Sequence, residues 1–152
     1  MKKKIISIIL ICGILCSFGG LSGCGNREEK PLDIALQLPE EITGKLTEEN
    51  LSVAQDGVSF TVEEGAVLQD TEVLITLKKD LPPIISEDEE YILTAYDFSV
   101  LEEEPVGVMK LEIPCVAKAE EVFAAYFNLE TNEWEPVEFN YDQERKCAVI
   151  YT

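Results

Sequence analysis

The chain contains no histidine in its 152 residues. Ser-His-Asp and Cys-His nucleophilic mechanisms are therefore closed to it, as are ordinary zinc hydrolase sites. Positive charge is also scarce, with 12 Lys and Arg against 30 Asp and Glu and a net charge of −18. Such a field repels nucleic acid and anionic headgroups, so no nucleic-acid partner is expected. The five cysteines show no metal-type spacing. The densest acidic runs, Glu87-Asp88-Glu89-Glu90 and Glu102-Glu103-Glu104, lack the Asp-x-Asp-x-Asp-Gly pattern with a distal Glu that wraps calcium. They are expected to be solvated loops with at most diffuse, weak calcium association, and no metal site or cofactor is expected. Long apolar runs are absent after residue 18, and the single one before it is too brief for a stable membrane span.

What is present begins at the N-terminus. Lys2, Lys3 and Lys4 precede an apolar run over residues 5–18, followed by Leu21-Ser22-Gly23-Cys24. A basic start, a short apolar core and small residues before a cut make up a secretory signal peptide. Leu-Ser-Gly-Cys resembles the bacterial lipobox, which implies cleavage between Gly23 and Cys24 and diacylglyceryl attachment to the Cys24 thiol. Residues 1–23 are thus expected to be a cleaved signal helix. The mature chain should stay on the membrane, because each buried methylene contributes roughly 0.8 kcal/mol and two or more acyl chains hold firmly. The expected location is the extracytoplasmic face of a bacterial cell membrane; the Ile-rich, Ala-poor signal leans towards a Gram-positive producer.

Removing Lys2, Lys3 and Lys4 leaves 9 basic residues against the 30 acidic ones, a net −21 for the mature part. Cys12 and Cys16 leave with the signal and Cys24 takes the lipid, so Cys115 and Cys147 remain. Outside the cytoplasm they could form a disulfide, or each could be a separate buried thiol in its own apolar strand.

Residues 24–50 read as a lipid-anchored tether and lead-in, with a weak helical candidate over residues 32–38, and residues 51–152 as one folded domain. From Leu51 the pattern has period two, which alternates faces along a strand. Val58, Phe60 and Val62 alternate with Ser59 and Thr61 before a turn at Glu63-Glu64-Gly65. A second strand covers residues 72–77. Ile92, Thr94, Tyr96, Phe98 and Val100 predict one strand face, and Met109, Leu111 and Ile113, alternating with Lys110 and Glu112, predict a half-buried strand ended by Pro114. Residues 122–129 and 134–141 read as a hairpin across Glu130-Thr131-Asn132-Glu133. Lys118-Ala119-Glu120-Glu121 could be one helical turn, and residues 147–151 form the last strand. Evenly spaced short strands with Gly, Pro and acidic turns predict an all-β, antiparallel sandwich.

The segment Gly57-Val58-Ser59-Phe60-Thr61-Val62-Glu63-Glu64-Gly65-Ala66-Val67 resembles the β-sandwich domain shared by ankyrins, netrin receptors and zonula-occludens proteins. Residues 71–77 follow it as that family's aliphatic strand would. Pro105-Val106-Gly107-Val108-Met109 is similar to its Pro-Val strand, and Asn132-Glu133-Trp134-Glu135-Pro136-Val137 to its hairpin Trp. Glu63 stands where the family usually has Pro, and the family's His-Phe-Ser segment after the last strand is absent, which points to a short copy or a fragment of a longer surface protein. The resemblance implies a module that binds partners or packs on neighbouring domains, and implies no chemistry.

Three functions follow for comparison. The expected one is a non-catalytic, lipid-anchored structural or interaction module with an unidentified envelope protein as partner. A ligand- or glycan-binding surface lipoprotein is the alternative, with Trp134, Tyr126, Tyr141 and Tyr96 as stacking faces. An enzyme is not expected; the remaining route is a carboxylate pair as in glycoside hydrolysis, which 30 acidic residues would supply by chance alone.

Overall fold

The computed structural model describes residues 5–12, 38–81, 85–86, 89–90, 92–115 and 122–152, with side chains described at 38–81, 94–115 and 122–152. All regular elements among them are strands: β1 (Ile5–Cys12), β2 (Glu41–Leu46), β3 (Ser52–Gln55), β4 (Val58–Val62), β5 (Thr71–Lys78), β6 (Ile85–Ser86), β7 (Glu89–Glu90), β8 (Ile92–Val100), β9 (Met109–Pro114), β10 (Val122–Asn128), β11 (Glu133–Pro136), β12 (Phe139–Asp142) and β13 (Cys147–Tyr151). One sheet has the order β11-β10-β1-β8-β5-β2 and the other β12-β13-β9-β4-β3; β6 and β7 form a small separate ribbon. Every strand pair is antiparallel. The fold is therefore all-β and sandwich-like, as the period-two pattern predicts.

The two sheets meet through their alternating apolar faces. Phe60 of β4 stacks on Phe98 of β8 with ring centroids 6.2 Å apart, and Tyr96 lies 6.3 Å from Phe98. Leu46, Val58, Ile75, Leu111, Ile113 and Ile150 complete a core drawn from both sheets. At Gly44 the layers approach closely, since a Cβ there would stand 2.6 Å from a Val53 methyl. Asp56 and Gly57 both have positive φ, 50° and 87°, in the two-residue turn between β3 and β4. That conformation matches the strand twist of a tight hairpin and explains an Asp-Gly pair at this point.

Three boundaries differ from expectation. The sandwich begins ahead of Leu51, because β2 pairs with β5 along its whole length and Leu38 packs on the core. The strand expected over residues 134–141 is two strands in different sheets. Pro136, which has no N–H to donate, ends β11, and the Val137 N–H turns back to the Ala124 carbonyl at 3.0 Å before β12 joins the second sheet. Ile5–Cys12 is a strand in the uncleaved chain, in keeping with its run of β-branched isoleucines, and the rest of the expected signal segment lies outside the described residues. The helical candidate at residues 32–38 falls outside the described residues except for Leu38, and so does the turn at Lys118 to Glu121.

Thr71 is buried, and its hydroxyl has no hydrogen-bond partner among the described residues. An unpaired buried hydroxyl carries its desolvation cost with no return. Thr71→Val is expected to leave the urea midpoint unchanged or raise it, by up to about 1 kcal/mol of stability. A clear fall in the midpoint would show that the hydroxyl is satisfied.

Candidate functional site

Cys24 and Gly23, the lipidation and cleavage residues of the sequence reading, lie outside the described residues. The two remaining cysteines are not joined to each other. Cys147 is a buried free thiol, while Cys115 is disulfide-bonded to a different residue. Register explains why the expected Cys115–Cys147 bridge does not form. Cys147 stands opposite Pro114, so Cys115, one residue further on, points to the other side of the sheet. Cys115 accordingly joins Leu111 and Ile113 in the core between the sheets. Burial raises the pKa of the Cys147 thiol, which keeps it protonated and unreactive near neutral pH.

The most developed polar constellation lies on the outer face of the second sheet. Glu112 of β9 is only 6% exposed. It accepts hydrogen bonds from the Ser59 hydroxyl at 2.9 Å and the Arg145 guanidinium at 2.6 Å, with the Lys110 ammonium 3.5 Å away. Ser59 reaches it because β4 pairs with β9 with Ser59 opposite Glu112. Arg145 is delivered by the turn between β12 and β13, where the Asp142 carboxylate accepts the Glu144 and Arg145 N–H groups at 3.0 Å each. The Arg145 hydrogen bond lowers the Glu112 pKa; burial opposes it, and Ser59 and Lys110 add to it. Every oxygen of this carboxylate is thus engaged in holding the sheet and its turn.

Asp97 is the second buried acid, 3.6 Å from the Lys78 ammonium. It alternates with Tyr96 and Phe98, so it lies on the outer face of the first sheet, with the core between it and Glu112. The two buried acids cannot flank one glycosidic bond. Among the described residues no group of three or more acidic or cysteine side chains is placed to hold a metal ion.

An open groove of about 680 Å³ runs past Asp97, lined also by Glu40, Lys78, Leu81, Phe127 and Leu129. Phe127 carries Trp134 on its side, with centroids 4.9 Å apart and rings inclined at 60°. The four aromatics named as stacking candidates are dispersed. Tyr96 is in the core and donates its hydroxyl to the Pro39 carbonyl at 3.0 Å, and burial pushes its pKa up to about 12. Tyr141 donates to the Cys115 carbonyl at 3.1 Å on the other sheet. Tyr126 donates to Glu135 across the β10–β11 hairpin, which raises its pKa and lowers that of Glu135. Only Trp134 stands beside the groove. Sequence reasoning missed Glu112 as a buried group, and the signal that could have found it is a lone Glu between Leu111 and Ile113 with Arg145 one hairpin away.

Comparison with known protein families, curated proteins and solved structures finds no match for this chain.

Proposed function

We propose that this protein is a lipid-anchored module on the extracytoplasmic face of a bacterial membrane, non-catalytic, and devoted to contact with another envelope protein. The observation that carries the reading is the Leu21-Ser22-Gly23-Cys24 sequence after a basic, then apolar, leader. Two features of the domain support it. A net −21 on the mature part favours a soluble surface held off anionic headgroups, so attachment would depend on the lipid. The buried Glu112 carboxylate is engaged by Ser59 and Arg145, in contacts that hold neighbouring strands and a turn together. The resemblance to the ankyrin, netrin-receptor and zonula-occludens sandwich belongs to the same proposal, since such a domain acts by contact.

Metabolic labelling with an alkyne analogue of palmitate tests the anchor. The wild-type protein should take up label, and Cys24→Ser should lose nearly all of it. Equal labelling of the two proteins would defeat the reading.

A ligand-binding lipoprotein is the second reading, favoured by the groove beside Phe127. Trp134 would report an occupant there through a saturable change in fluorescence with soluble glycans or peptides; a flat response across a broad panel counts against it.

A further inference from the structure

β1 has an unusual place for a segment that a signal peptidase would remove. It lies inside the six-stranded sheet, with eight of its residues in register with β8 and five with β10. β8 and β10 run parallel to each other and both antiparallel to β1, so they meet only through it. Cleavage before Cys24 would withdraw this strand and leave two facing rows of backbone donors and acceptors one strand-width apart, over Tyr96, Phe98 and Ala124 of the core.

We infer that in the mature protein the gap between β8 and β10 is an acceptor site for an extended, uncharged, aliphatic strand of about eight residues supplied by another envelope protein. The inference rests on the lipoprotein reading. The walls define the chemistry of the occupant. β10 carries no charged residue, and the single acid of β8, Asp97, faces Lys78. Ala95 and Ala125, both small, stand opposite the position of Ile9 on its two sides, which suits a large aliphatic group there. A second copy of this chain is a poor donor. Its described edge strands β2, β3, β11 and β12 span four to six residues and carry polar or charged groups, and two mature chains of net −21 repel.

The test uses mature lipoprotein extracted from membranes in detergent, first checked by N-terminal mass. The probe is a synthetic peptide of the Ile5–Ile11 sequence with lysines added at its end for solubility. Saturable binding with a rise in thermal midpoint is expected. Replacing the residue at the Ile8 position by Pro should abolish it, and Arg at the Ile9 position should weaken it by at least about tenfold. Binding of all three peptides alike would overturn the site. So would absence of binding to a cleaved chain that unfolds cooperatively, since the gap would then be closed by the domain itself. A stable dimer that the peptide dissociates would assign the gap to a second copy and overturn the partner. Retention of residues 5–12 in the purified protein would overturn both this inference and the lipoprotein reading, whereas failure on a cleaved chain overturns the inference alone.

Discussion

Phe98→Ala should destabilise the domain by about 3–5 kcal/mol, the usual range for emptying a fully buried phenylalanine site. Phe98 is 2% exposed and packs at the meeting of the two sheets, between Phe60 at 6.2 Å and Tyr96 at 6.3 Å. Phe60 is fixed in β4 between β3 and β9, and β8 is held by its ladder to β5, so these neighbours fill the vacated volume only in part and the cavity adds to the lost transfer free energy. Against a total stability of roughly 5–15 kcal/mol this single change would take the domain close to its folding threshold. Leu68→Ala is the matched control, at a side chain 70% exposed, where a shift within about 0.5 kcal/mol is expected. Urea unfolding followed by Trp134 fluorescence reads both. Equal midpoints for the two variants would contradict the packing described here.

Glu112→Ala should cost about 2–3 kcal/mol, below the range of about 3–5 kcal/mol for breaking a fully buried ion pair, because the Arg145 partner is itself 58% exposed and can find water. The change also leaves the Ser59 hydroxyl without its acceptor. The pH dependence has a definite sign. Glu112 has a folded pKa below its ordinary value of 4.5, held down first by Arg145. Its stabilising contribution is therefore fully present above about pH 4.5 and is lost as pH falls through the lower folded value. Wild-type stability should decline on acidification below this point more steeply than that of Glu112→Gln, and Arg145→Ala should shrink the same acid branch. Parallel stability curves for wild type and Glu112→Gln between pH 3 and 5, within about 0.3 kcal/mol, would show that the carboxylate contributes nothing in its charged form.

The strands of the central core were legible because their side chains alternate strictly. Val58, Phe60 and Val62, and likewise Met109, Leu111 and Ile113, face inward as period two requires. Burial of the intervening residues was not legible in the same way. Ser59 and Glu112 look like solvent-facing positions by polarity, yet they are covered by a partner from a turn distant in sequence, which local pattern does not encode. Ala95 and Ala125 give a second, smaller cluster on the other face of the first sheet, invisible to a one-face reading of residues 92–100. β2 was hidden by its composition, since Thr43, Gly44 and Lys45 dilute the apolar signal and Gly44 is required by the close approach of Val53. The Asp56-Gly57 turn, by contrast, is a strong hairpin signal in the sequence itself. The proposed lipidation at Cys24 comes from the sequence alone, whereas the proposed acceptor gap needs both the sheet order and the cleavage that the sequence implies.

The state of the cysteines joins these two lines. A chain cleaved before Cys24 and acylated there has lost Cys12 and Cys16, and its Cys24 thiol is occupied, so Cys115 and Cys147 are the two thiols left and their register keeps them apart. The most direct measurement is the intact mass of the protein extracted from membranes, before and after alkylation under denaturing, non-reducing conditions. The lipid-anchor account predicts a chain starting at Cys24 with the added mass of its acyl groups, gaining two alkyl groups at Cys115 and Cys147. A chain that retains residues 1–23 without acyl mass, with Cys115 in a disulfide and Cys147 alkylated, would contradict it.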